Sequence, residues 1–161
     1  MNTVSSSFDP ALDLEIDRYL DVAPAKVWRC WTEPALIMQW FCPQPWAVSE
    51  AIVDLRAGGR FFTMMRGPDG EKVPNDGAFL EVVPGQRLVF TDLFLADWRP
   101  VPAPGLGFAA VVTMTPEGSG THYRAVARHG RSEAATAHAN MGFHVGWGIA
   151  ADQLTQVAKG L

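Results

Sequence analysis

"ANMGFHVGWGIAADQL", residues 139–154, keeps helical time despite three glycines inside it. Phe143, Trp147, Ala150, Leu154, Val157 and Leu161 recur alternately four and three positions apart, the spacing of one apolar helix stripe. Gly142, Gly146 and Gly148 each cost roughly 1 kcal/mol against alanine in a helix interior. Small residues on a helix permit close packing, or leave room for something else. The chain from about Ser132 onward is therefore expected to be one long helix, and the fold turns on what that helix covers.

Upstream of it, residues 46–129 read as consecutive strands. "WAVSEAIVDL" and "RFFTMMR" flank the turn "RAGG", and "GPDGEK" carries hairpin chemistry. "GAFLEVV" and "RLVFTDLFL" are separated only by "PGQ", while "FAAVVTMT" and "THYRAVARH" flank "PEGSG". Between the last two pairs, "RPVPAPGLG" (99–107) has three prolines and is expected to be an irregular loop. Near the start, "LDLEIDRYLDV" alternates apolar and acidic residues as a strand does. It is followed by two short helices, "APAKVWRCWTEP" and "ALIMQWF", each opened by a proline.

Hairpin-linked strands imply an antiparallel sheet whose apolar face must be covered, and the terminal helix is the element long enough to do so. The expected class is α+β: a curved antiparallel sheet of six to seven strands gripping a long C-terminal helix. A sheet and helix in this arrangement do not close perfectly, and the gap is the natural place for a ligand cavity. Residues 1–9 are Ser-rich and expected to fray, leaving 10–161 as one domain.

Composition excludes several classes. A net charge of -4 lacks the basic face that nucleic acid or an anionic membrane would select. No apolar run approaches the roughly 20 residues of a membrane span. The N-terminal stretch lacks a basic and an apolar segment in the order of a secretory signal, so a cytoplasmic location is expected. Cys30 and Cys42 make no disulfide framework and are expected to be buried, reduced thiols.

The segments "PAKVWRCWTEPALIMQWF", "DLRAGGRFFTMMRGPDG", "GAFLEVVPGQRLVFTD" and "MGFHVGWGIAADQL" together resemble the activator of heat-shock-protein-90 ATPase homologue family. That family lies within the START-like, birch-pollen-allergen-related superfamily. The likeness spans about residues 12–161 with the motifs in the family's order. It departs in a longer Pro-rich loop and in a terminal motif richer in glycine and histidine. The resemblance implies a helix-grip, START-like fold, a stand-alone single-domain member, and a homodimer. It also implies a stress-response setting and, for small members, binding of apolar molecules. Co-chaperone action does not carry over by name, because the eukaryotic co-chaperone engages its chaperone through a separate domain.

For chemistry, the four histidines are His122, His129, His138 and His144. None stands at metal-ligand spacing, and on a helix His138 and His144 point about 120° apart. No metal and no cofactor is expected. "RAGGR" lacks the Lys-Ser/Thr of a phosphate loop and reads as a turn. In "RLVFTDLF" the alternation puts Leu88, Phe90, Asp92 and Phe94 on one face. On a concave face Asp92 would be a buried carboxylate suited to acid–base work; if the strand ends near Thr91, it sits at a rim. Tyr123, beside the small Ala125 and Ala127, and His144 would complete a catalytic group with Asp92.

Six tryptophans and nine phenylalanines in 161 residues exceed what a small core requires, and some of them are expected to line a pocket. Its expected lining is Trp40, Phe41, Phe61, Met65, Phe79, Phe90, Asp92, Val112, Met114, Tyr123, Phe143, His144 and Trp147. Trp28 and Trp31 are expected in the core, and Trp98 as a lid or interface anchor. Three functions follow: binding of an apolar or aromatic small molecule, an acid–base enzyme of cyclase type, or a protein-interaction module with a filled interior. The first is preferred, so catalysis is not the leading expectation.

Overall fold

The chain enters as β1 (Asp13–Leu20), whose Leu14, Ile16 and Leu20 face inward. A computed structural model describes residues 8–161. Most of the N-terminal stretch expected to fray lies outside the described residues; Asp9, within them, accepts from the backbone N–H groups of Leu12 and Asp13 in a turn. Two prolines then set the helices. Pro24 occupies the first turn of α1 (Pro24–Thr32), and Pro34 that of α2 (Pro34–Trp40). Pro34 forces Glu33 out of the helical region, to φ -93° and ψ 116°, which ends α1 and turns the chain into α2.

The strands follow as β2 (Ala47–Val53), β3 (Arg60–Arg66), β4 (Lys72–Val83) and β5 (Arg87–Thr91). Next come the two-residue strands β6 (Phe94–Leu95) and β7 (Arg99–Pro100), then β8 (Phe108–Glu117) and β9 (Gly120–His129). Seven strands form one antiparallel sheet in the order β1-β9-β8-β5-β4-β3-β2, and β6 and β7 pair by themselves. Hairpins make most neighbours; only β1 with β9 and β5 with β8 join distant segments. The Pro-rich loop is as irregular as expected, apart from the short β6–β7 bridge.

The C-terminal region is where the sequence reading needs correction. It forms two helices, α3 (Ser132–Asn140) and α4 (Phe143–Lys159). Gly142 breaks them at φ +92°, a left-handed conformation that side-chain-bearing residues avoid. It is a joint between helices, not a helix interior. Of the expected stripe, Phe143, Ala150 and Leu154 are buried, Trp147 and Val157 half-buried, and Leu161 lies exposed beyond the helix. Ala151 and Ala158 are buried instead, where α4 packs against α1, α2 and β1. The result is the helix-grip arrangement, with the core between the sheet's inner face and these helices. No helix among the described residues is long and apolar enough to cross a membrane.

Candidate functional site

The grip leaves space at one end of α4. A cavity of about 550 Å³ lies between the α3–α4 joint, the end of α2 and the inner face of the sheet. Met141, Phe143, Gly146 and Trp147 roof it; Trp31, Trp40, Phe41, Phe90, Phe108 and Tyr123 form much of its wall. An adjoining lobe of about 390 Å³ reaches under the Pro-rich loop to Thr63, Asp92, Pro104 and Gly105. Phe41, Asn75, Phe90, Leu106, Phe108 and Met141 border both.

The walls are built from aromatic edges. Trp31 meets Trp40 edge-on at 4.9 Å between ring centroids, Phe61 meets Phe90 at 5.0 Å, and Phe143 leans on Trp147 at 4.8 Å. Such pairs add to the area they bury and hold the rings in place. Two of the indole N–H groups are satisfied within the wall: Trp40 Nε1 donates to the Cys30 carbonyl at 2.8 Å, and Trp31 Nε1 to Tyr123 Oη at 3.1 Å. Burial raises the Tyr123 phenol well above its ordinary value, so it stays a neutral hydroxyl that accepts from Trp31 and is no base.

The rim is clasped by two side chains. Gln153 of α4 donates through Nε2 to the carbonyls of Trp40 and Cys42, at 3.0 and 2.8 Å, and accepts from Gln44 N–H at 3.1 Å. It ties the segment after α2 to the roof. Asp92 accepts from the backbone N–H groups of Leu106, Gly107 and Phe108 at 3.1, 3.1 and 2.9 Å, and so ties down the Pro-rich loop.

The three glycines of this segment have three different surroundings. Gly142 supplies the joint. A Cβ on Gly148 would meet the Arg18 guanidinium, the far end of a side chain that can swing aside, and the position borders neither lobe. A Cβ on Gly146 would meet only Pro43 Cγ, at 3.9 Å, so that position is cavity wall with space before it.

The structure does not bring Asp92, Tyr123 and His144 together. The strand ends at Thr91, and Asp92 turns to the loop amides at the edge of the smaller lobe. His144 is exposed on α4 and borders neither lobe, because the break at Gly142 sets the helix phase that turns it outward. Phe79, Val112 and Met114, also expected to line the pocket, are core residues with 0%, 0% and 1% exposure. Trp40, Phe41, Phe61, Met65, Phe90, Asp92, Tyr123, Phe143 and Trp147 do border one lobe or both. Trp98 is no lid: its indole lies over Gly58 and meets Phe94 edge-on at 6.2 Å. Among the described residues no group of three His, Cys, Asp or Glu side chains comes together as a metal site would require. Cys30 and Cys42 are free and buried, and burial raises both thiols, Cys30 to about 11.

One polar feature escaped the sequence reading. His138, in the last turn of α3, borders the cavity, and its Nδ1 lies 2.9 Å from Nε2 of His129. His129 Nδ1 in turn lies 2.8 Å from the Leu12 carbonyl. Burial, and then the neighbouring His129, lower His138 to about 4, so it is neutral near pH 7. Nothing in the spacing of these two histidines predicts the pair; the turn between β9 and α3 creates it.

Comparison with known proteins agrees with this architecture. The family described as "Activator of Hsp90 ATPase homolog 1-like protein" matches residues 21–159. A crystal structure of a protein from Nitrosomonas europaea is 42% identical, covers 95% of this chain and 97% of its own, and superposes with a TM-score of 0.91. A solution structure from Arthrobacter aurescens is 26% identical, covering 99% and 94%, with a TM-score of 0.80. An AHSA1-like protein from Aeromonas hydrophila, at 22% identity and coverage of 92% and 93%, shares the fold with a TM-score of 0.71. No curated protein matches the sequence.

Proposed function

The chain belongs to the activator of Hsp90 ATPase homologue 1-like family, and we propose, from that premise, that it binds an apolar, aromatic small molecule in the cavity beneath the α3–α4 joint. The observation that supports this most is Gly146. A helix interior gives up about 1 kcal/mol to hold glycine in place of alanine. Here the omitted methyl would meet only Pro43 at the edge of contact, so close packing does not account for it. The omitted side chain enlarges a space already walled by tryptophan and phenylalanine rings.

Such a space is unfavourable when empty, since its lining lacks contacts on one side. A flat aromatic guest restores them. Isothermal titration with naphthalene and its simple derivatives tests the reading. The protein is expected to bind them, to bind them as well with Gly146→Ala, and to lose them with Gly146→Leu, whose side chain enters the cavity. Unchanged affinity in Gly146→Leu contradicts the reading, as does the absence of binding by the unaltered protein.

A further inference from the structure

The histidine pair fixes a direction of hydrogen bonding. The Leu12 carbonyl can only accept, so His129 Nδ1 carries a proton. In a neutral His129 ring Nε2 is then a lone pair, which must accept from His138 Nδ1–H. That leaves His138 Nε2 as a bare lone pair. Among the described residues no group bonds to it, and every fully shielded side-chain nitrogen or oxygen there has a partner. The Nε2 atom must therefore reach open space. His138 is only 7% exposed, its ring is flanked by Phe108 at 5.2 Å, His129 at 5.1 Å and Phe143 at 5.1 Å, and the space it borders is the cavity.

We infer that His138 Nε2 is the recognition point of the cavity, accepting a hydrogen bond from a ligand that joins an aromatic body to a hydroxyl or ring N–H donor. This rests on the cavity-binding reading and adds a polarity to it. An apolar guest without a donor would leave the lone pair unpaired, and an acceptor placed against Nε2 would face lone pair against lone pair. While His129 is uncharged, the order Leu12–His129–His138 leaves an acceptor facing the cavity.

The test compares 2-naphthol, 2-methoxynaphthalene and naphthalene by isothermal titration, and follows the His138 ring nitrogens by ¹⁵N NMR in uniformly ¹⁵N-histidine-labelled protein. The inference predicts that 2-naphthol binds about tenfold tighter than the other two, the difference a hydrogen bond to a buried acceptor supplies. It also predicts that the pyridine-type Nε2 signal of His138 shifts with 2-naphthol alone. His138→Phe is expected to erase the preference while still binding naphthalene. Should that variant not fold, the NMR arm in the unaltered protein carries the test. Equal affinity for all three, with an unmoved Nε2 signal, overturns the inference and leaves the cavity reading standing. No binding of any of the three overturns both.

Discussion

Gly142 and Gly146 are four positions apart and respond to the same substitution in opposite directions. Gly146→Ala adds a methyl that touches only Pro43 and removes a helix-interior glycine, so unfolding free energy is expected to rise by up to about 1 kcal/mol. Gly142→Ala places a Cβ on a residue at φ +92°, and is expected to cost about 1–2 kcal/mol. Urea unfolding of the two variants checks both signs. His138 sets the pH response at this scale. Its folded value is about 4 against an ordinary 6.5, so in the interval between them the unfolded chain binds the extra proton. Stability from this group is intact above pH 6.5 and falls as pH drops toward 4, by a few kcal/mol at most. The adjacent His129 deepens the shift and Asp92 opposes it. Denaturant midpoints between pH 7 and pH 4, compared with His138→Phe, measure the contribution; an equal slope in the variant would assign it elsewhere.

At the scale of elements, the cavity is held by joints. Gln153 makes three hydrogen bonds to the segment leaving α2, and Gln153→Ala is expected to cost about 1–3 kcal/mol and to raise hydrogen exchange at residues 42–46. Asp92→Asn should act on the Pro-rich loop in the same way: its uncharged oxygen cannot accept all three amides as strongly, so exchange at 104–108 rises. The strands, the paired prolines and the cover of the sheet were legible because periodicity and turn chemistry are local signals. Pro34, for instance, announces its own helix start. The α3–α4 break was not, since Gly142 in sequence looks like any costly helix glycine, and only its backbone angle makes it a joint. An unbroken helix also leaves His144 available as a cavity base, and His138 weighed only as a metal ligand, since the pairing with His129 depends on the turn before α3. The aromatic wall was half legible: strand alternation gives the inward face, yet it does not separate Phe90, which borders the cavity, from Phe79 and Val112 in the packed core.

Across the whole molecule, the sheet, the broken terminal helix and the two proline-led helices enclose a space that none of them closes. Membership of the family accounts for the arrangement, and the residues inside account for its character: aromatic walls, one acceptor nitrogen, and a glycine where a side chain would intrude. The most direct test is native mass spectrometry of the purified protein, with identification of whatever denaturation releases. A reproducible aromatic compound bearing a hydroxyl or N–H, present in the unaltered protein and absent from Gly146→Leu, is the predicted result. A bare chain mass, together with no thermal shift across an aromatic compound set, would contradict the account.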